Sequence, residues 1–195
     1  DVTVLHAHLN HCLGIPSIHG PMASLSASTP DQEGALVSLA QTLQGKPTLL
    51  EVAAHPFNKH GTATGTVIGG NLSILYSLLE SPESFQPAGK ILFLEEVDEY
   101  LYHLDRMLST FRRAGKLQGL AGLVIGSMTN MKDNEVPFGL TAEEMLYDHL
   151  SNLPVPVAFG FPAGHIAANQ SFYLGMQAQL RVDEAGAKLS YEGDL

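Results

Sequence analysis

A single cysteine, Cys12, leaves the chain unable to form an internal disulfide framework and fits a reducing compartment. Basic residues are scarce: 10 Lys and Arg stand against 20 Asp and Glu, a net charge of −10. That balance argues against nucleic acid and anionic membrane as partners, since both attract basic surfaces. No apolar run approaches the roughly 20 residues that a membrane-spanning helix needs. The sequence has no internal repeat, no low-complexity segment, no G-x-G-x-x-G and no Walker lysine. No signal peptide opens it, and with Asp1 in place of a methionine it reads as a piece of a longer, cytoplasmic protein. What is present is core: 195 residues, 45% of them hydrophobic and only 15% charged, enough for one large domain or two small ones.

The stretch from Gly89 to Gly115 organises the rest. Ile91-Leu92-Phe93-Leu94 follows the turn Pro87-Ala88-Gly89 and has the pattern of a fully buried strand. The run stops at Glu95 and Glu96. A helix follows, with Leu101, Leu104, Leu108 and Phe111 on one face, Arg112 and Arg113 in its last turn and Gly115 as the stop. Carboxylates at the C-terminal end of a buried strand stand where α/β sheets place chemistry. An acidic pair is equally what a solvated loop looks like, and periodicity does not choose between Glu95 and Glu96.

Asp1 to Leu13 is predicted as a helix, with Val2, Leu5, Leu9 and Leu13 inward. His8 and Cys12, four apart, have a spacing that zinc sites use. A tetrahedral site needs more ligands, and no second cluster of matching spacing follows. The two therefore read as packed helix residues, and no metal is expected. Ser17-Ile18-His19 is a short strand ended by Gly20-Pro21, and Ser24 to Pro30 is a polar surface loop. Asp31 to Gln44 is a second helix, with Ala35, Leu36, Leu39 and Leu43 inward. Composition changes near Gly45–Pro47, which places a domain boundary there, giving units 1–45 and 46–195.

Strands are expected at Thr48–Ala54 and Thr62–Ile68. Gly69-Gly70 is read as a tight turn, with Asn71 capping a helix over Leu72–Leu79. Two glycines before a helix can also admit an anion, although a plain capped turn is the commoner use. Leu120 to Met128 is a buried strand, Thr141-Ala-Glu-Glu144 a capping box opening a helix to Leu150, and Val155 to Phe159 a strand. The loop Gly160-Phe161-Pro162-Ala163-Gly164-His165 carries a histidine. The tail forms a hairpin turning at Asp183–Gly186. Alternating strands and helices with a final hairpin give an α/β fold.

Four stretches together resemble the LD-carboxypeptidase family of serine peptidases: Ile18-His19-Gly20-Pro21-Met22, GTVIGGNLS from Gly65 to Ser73, the Gly89–Gly115 segment, and GFPAGH from Gly160 to His165. Their order matches over nearly the whole chain. The resemblance implies a Ser-Glu-His triad in which Glu95 orients His165, the general base. It places the nucleophilic serine one position before Asp1, and so outside the sequence. Asp1 would then supply an oxyanion amide, and Asn71 would stand at the substrate side. The implied fold is a swivelling β/β/α-type C-terminal domain preceded by a remnant of a Rossmann-like, class I glutamine amidotransferase-like nucleophile domain. The implied substrate is a muropeptide, from which a terminal D-alanine is released without a cofactor. A homodimer is expected, because the apolar faces of the first 45 residues lack a sheet to cover them. Two other readings are a microcin C self-immunity hydrolase, against which the absence of tryptophan for adenine stacking weighs, and a non-catalytic muropeptide-binding domain.

Overall fold

The computed structural model describes residues 2–22, 28–46 and 49–191. Asp1, most of the expected polar loop after Ser24, and Thr48 with the boundary proline lie outside them. The element order is α1 (Val2–Ala7), a π-helix (His8–Cys12), β1 (Ser17–His19), α2 (Pro30–Leu43), β2 (Leu49–Ala53), β3 (Gly61–Asn71), α3 (Leu72–Ser77), β4 (Lys90–Val97), α4 (Leu101–Arg113), β5 (Gly122–Thr129), α5 (Ala142–Leu150), β6 (Val157–Ala158), β7 (Phe172–Leu174), β8 (Gln177–Asp183) and β9 (Gly186–Tyr191).

A seven-stranded mixed sheet runs in the order β2-β9-β8-β3-β4-β5-β6. Strands β3 to β6 are parallel neighbours, and β3-β8, β8-β9 and β9-β2 are antiparallel. The parallel strands step in one direction, so the crossover helices α3, α4 and α5 share one face. There Leu72, Leu104, Phe111 and Leu146 pack on Ile68, Leu92, Leu94 and Leu123. On the other face Ile91, Phe93 and Val124 meet Phe161, Phe172 and Leu180. β1 pairs with β7 in a separate two-stranded sheet.

Local chemistry explains most boundaries. The Thr141 hydroxyl accepts from the Glu144 amide and the Glu144 carboxylate from the Thr141 amide, a complete capping box. The Asn71 side chain accepts from the Ile74 amide and starts α3. The expected turn at Gly69-Gly70 is instead the end of β3, which runs unbroken to Asn71. These glycines serve close approach. A Cβ on Gly69 would lie 1.9 Å from the Phe93 carbonyl oxygen, and one on Gly70 2.7 Å from Thr3 Oγ1 on α1.

The first helix also differs from expectation. It covers only Val2–Ala7 and widens into a π-helix at His8–Cys12. Its buried residues are Thr3, His6 and Ala7, while Val2, Leu5 and Leu13, expected inward, are 58%, 63% and 55% exposed. His8 and Cys12 are exposed rather than packed. In α2, Ala35 and Thr42 are buried and Leu43 is exposed.

Candidate active site

Successive side chains of a strand point to opposite faces. In β4, Ile91 and Phe93 belong to one core and Leu92 and Leu94 to the other. The strand does not stop at the carboxylates but carries both, and both are buried. Glu95 therefore continues the Phe93 face and Glu96 the Leu94 face. The β4–β5 register shifts between Leu94 and Glu96, where Gly126 and Ser127 stand opposite Glu95 alone. Such irregularities re-aim a side chain at a sheet end.

Glu96 is fully engaged. It accepts from Asn71 Nδ2 at 2.7 Å, the Ser73 amide at 2.8 Å and the Val97 amide at 2.9 Å. It locks the β3–α3 corner. Glu95 instead meets His165, whose Nδ1 lies 2.8 Å from Glu95 Oε2. The carboxylate side chain is 4% exposed and the imidazole 49%, so one end of the ring is anchored and the other faces the cleft. With Nδ1–H donated to Glu95, Nε2 is left as the proton-accepting nitrogen.

The loop carrying His165 is tied to β5. The Phe161 amide donates to the Ile125 carbonyl, and the Ser127 amide to the Ala163 carbonyl. The Gly164 amide donates to the buried Asn169 Oδ1 at 3.1 Å. Gly164 has φ +123°, and a Cβ there would lie 2.3 Å from Ser127 Oγ and 3.0 Å from Glu95 Oε2. Only glycine lets the loop come down far enough for the next residue to reach Glu95.

Burial pushes the Glu95 carboxyl above its ordinary range; the hydrogen bond and charge of His165 and the Asn71 amide pull it back, and Glu96 adds to the push. His19, beside the pair, has its imidazole pushed down to about 3 by burial, with His6 and His165 adding to the effect. Its ring packs between Phe93 and Phe172, with centroids 5.1 and 5.0 Å away, and its Nδ1 has no partner. It is a neutral, half-buried aromatic that also lines the cleft.

Glu95 and His165 open onto a cleft of about 830 Å³. Val2, Thr3 and His6 of α1, Leu39 and Leu43 of α2, and Ile166 form much of its wall. His6 Nδ1 is 2.8 Å from Ser17 Oγ. Asn71 lies beneath this wall, buried, its oxygen capping α3 and its amide on Glu96. It is not among the described residues that line the cleft, and its side chain holds the β3–α3 corner. Asp1 lies outside the described residues. Sequence reasoning missed Asn169, Ser127 and His6, which carry no local motif; only the fold brings them to the pair. Among the described residues, the cleft imidazoles and Glu95 do not converge on one point as a metal site requires.

A buried carboxylate orienting a cleft-facing imidazole, at the C-terminal ends of parallel strands, can take a proton and return it, as hydrolases of the triad type do. Residues 64–180 match the LD-carboxypeptidase C-terminal domain, and the chain belongs to the LD-carboxypeptidase family. It is 30% identical over 190 residues to a probable murein peptide carboxypeptidase of Bacillus subtilis (strain 168), covering 96% of this chain and 60% of that protein. It is 32% identical over 189 residues to the murein tetrapeptide carboxypeptidase of Pseudomonas aeruginosa, covering 92% and 60%. The crystal structure of a muramoyltetrapeptide carboxypeptidase from Oxalobacter formigenes is similar at a TM-score of 0.84 and 28% identity, over 99% of this chain and 66% of that one. The microcin C7 self immunity protein MccF is similar at 0.83 and 19% identity, over 100% and 66%, a likeness of fold alone. The chain spans 42% to 60% of the length of the curated relatives it matches.

Proposed function

We propose that this chain is the acid–base-bearing part of a serine carboxypeptidase that releases the terminal D-alanine from muropeptide tetrapeptides in cytoplasmic peptidoglycan recycling. The observation that carries the reading is the 2.8 Å contact between His165 Nδ1 and buried Glu95 at the cleft. On this reading residues 46–195 form the swivelling β/β/α-type domain, and residues 1–45 belong to a Rossmann-like nucleophile domain. The serine of the triad then stands one position before Asp1 in the longer protein.

His165 Nε2 takes the serine proton as the hydroxyl attacks the carbonyl before D-alanine, because a serine is a poor nucleophile at its own pKa. It then gives that proton to the leaving amine. Glu95 holds the tautomer and stabilises the imidazolium without taking the proton. Its burial strengthens that interaction, since water does not screen it. Val2, Ile18, Leu39 and Ile166 give the cleft an apolar wall beside the reacting centre.

The described cleft wall holds no Phe, Tyr or Trp on which adenine could stack, and this favours a muropeptide over an aminoacyl-nucleotide conjugate. The test is a side-by-side assay of the protein extended upstream of Asp1 by its Gly-x-Ser elbow. A disaccharide-tetrapeptide should lose D-alanine while an aminoacyl-sulfamoyl adenylate stays intact. Cleavage of the adenylate alone would refute the assignment.

A further inference from the structure

Outside the residues that line the cleft, the structure assembles three metal-ligating atoms from two remote segments. The π-helix places His8 and Cys12 at its two ends, and the wider turn keeps residues four apart on one side. Glu83 comes from the turn that follows α3. A ring nitrogen of His8, Cys12 Sγ and a Glu83 carboxylate oxygen all lie within 4.8 Å of one another. His8 Nδ1 is 3.3 Å from Glu83 Oε1, and Cys12 Sγ is 3.4 Å from the Pro82 carbonyl on the same turn.

We propose that His8, Cys12 and Glu83 bind a zinc-class divalent cation, with water as the fourth ligand. Zinc bonds of about 2.0–2.3 Å imply ligand–ligand edges of roughly 3.3–3.8 Å in a tetrahedron. The His8–Glu83 edge already fits, and the wider edges need to close by at most about 1 Å, within the reach of exposed side-chain rotamers. The mixed nitrogen, sulfur and oxygen donor set suits zinc rather than magnesium or calcium. A histidine–glutamate contact alone would be a surface ion pair of little worth. The thiol as third donor is what makes a site.

The charges balance. On binding, the Cys12 S–H bond breaks, a sulfur–metal bond forms, and the proton goes to solvent. Thiolate and carboxylate together neutralise the divalent ion, and His8 binds neutral through Nδ1. A glutamate carboxyl is ionised at neutral pH, so Glu83 brings the second negative charge. The ion would staple the π-helix to the 81–84 turn. The π-helix continues α1, whose Thr3 and His6 line the cleft, so the staple also steadies that wall.

The test is titration of the reduced chain with Co²⁺. Cys12 is the only cysteine, so a thiolate-to-cobalt charge-transfer band can arise from no other residue. We expect saturation at one ion per chain, tetrahedral-type visible absorption, one proton released per ion, and displacement by Zn²⁺. Cys12→Ser should abolish the band, and His8→Gln and Glu83→Gln should each weaken binding by about tenfold or more. Zn²⁺ should raise the thermal midpoint of the native chain and not that of Cys12→Ser. No charge-transfer band at saturating Co²⁺ would overturn the proposal. So would a band of undiminished affinity in both His8→Gln and Glu83→Gln, since that is a lone thiol binding by itself.

Discussion

Glu95 and Glu96 are adjacent in sequence and do opposite things, because the pleat of β4 turns one toward His165 and the other toward Asn71. One is 2.8 Å from an imidazole at the cleft; the other accepts three hydrogen bonds inside the β3–α3 corner. Their substitutions should separate activity from stability.

For Glu95→Gln in the serine-bearing protein, kcat should fall by about 10³ to 10⁴ with little change in KM, because the imidazolium loses its counter-charge. Stability should move the other way. Burial raises the Glu95 carboxyl above its unfolded value, so the fold favours the protonated form. That contribution is present below the unfolded pKa and lost as pH rises through the folded one. Removing the ionisable group should therefore raise the thermal midpoint at neutral pH, measured by calorimetry.

Glu96→Gln should do the reverse. The amide cannot accept all three donors, and its own NH₂ group meets donors rather than acceptors. A loss of about 1–3 kcal/mol in denaturant unfolding is expected, with kcat largely kept in the folded fraction. A stable but inactive variant would exchange the roles assigned to the two carboxylates.

Acid should destabilise the fold through His19. Its imidazole is about 3 in the folded chain against an ordinary value near 6.5, so the unfolded chain binds the extra proton. Stability is full above about pH 6.5 and falls by at most about 1.4 kcal/mol per pH unit down to about 3. His19→Phe, which can pack between Phe93 and Phe172, should flatten that slope in unfolding curves taken at several pH values. An unchanged slope would remove His19 from the account.

These elements show where sequence suffices. The Thr141–Glu144 capping box, the hairpin turn after Asp183 and the buried strand at Ile91–Leu94 are local signals, and each forms as its residues dictate. The Gly69-Gly70 pair misleads because glycine serves both turns and close approach. The reason for it here, the Phe93 carbonyl on β4, is remote in sequence. The inward face of α1 is also not legible. Leu5 and Leu13 keep helical spacing, yet the buried residues of α1 are Thr3, His6 and Ala7. The histidine of the site is visible as a loop residue, but its partner is chosen by strand alternation and by a register shift that no periodicity reveals.

Those exposed leucines carry a prediction of their own. Val2, Leu5, Leu13, Met22 and Leu43 are more than half exposed on the N-terminal elements, an apolar surface that seeks a partner. The chain alone should self-associate, as a homodimer, in light scattering at high concentration. Leu5→Lys with Leu43→Glu should shift it to monomer. A strictly monomeric native chain would contradict this.

Release of free D-alanine from a disaccharide-tetrapeptide, followed by mass spectrometry, tests the central claim that Glu95 and His165 are the base half of a serine triad. Three proteins are compared: the serine-bearing protein, the same protein with His165→Ala, and the 195-residue chain alone. Turnover is expected from the first, a loss on the order of 10³-fold or more in the second, and nothing above a buffer blank in the third, which on the proposed reading holds the base without the nucleophilic serine. D-alanine released by the 195-residue chain, and lost with His165→Ala, would contradict it, because His165 would then be acting without the serine.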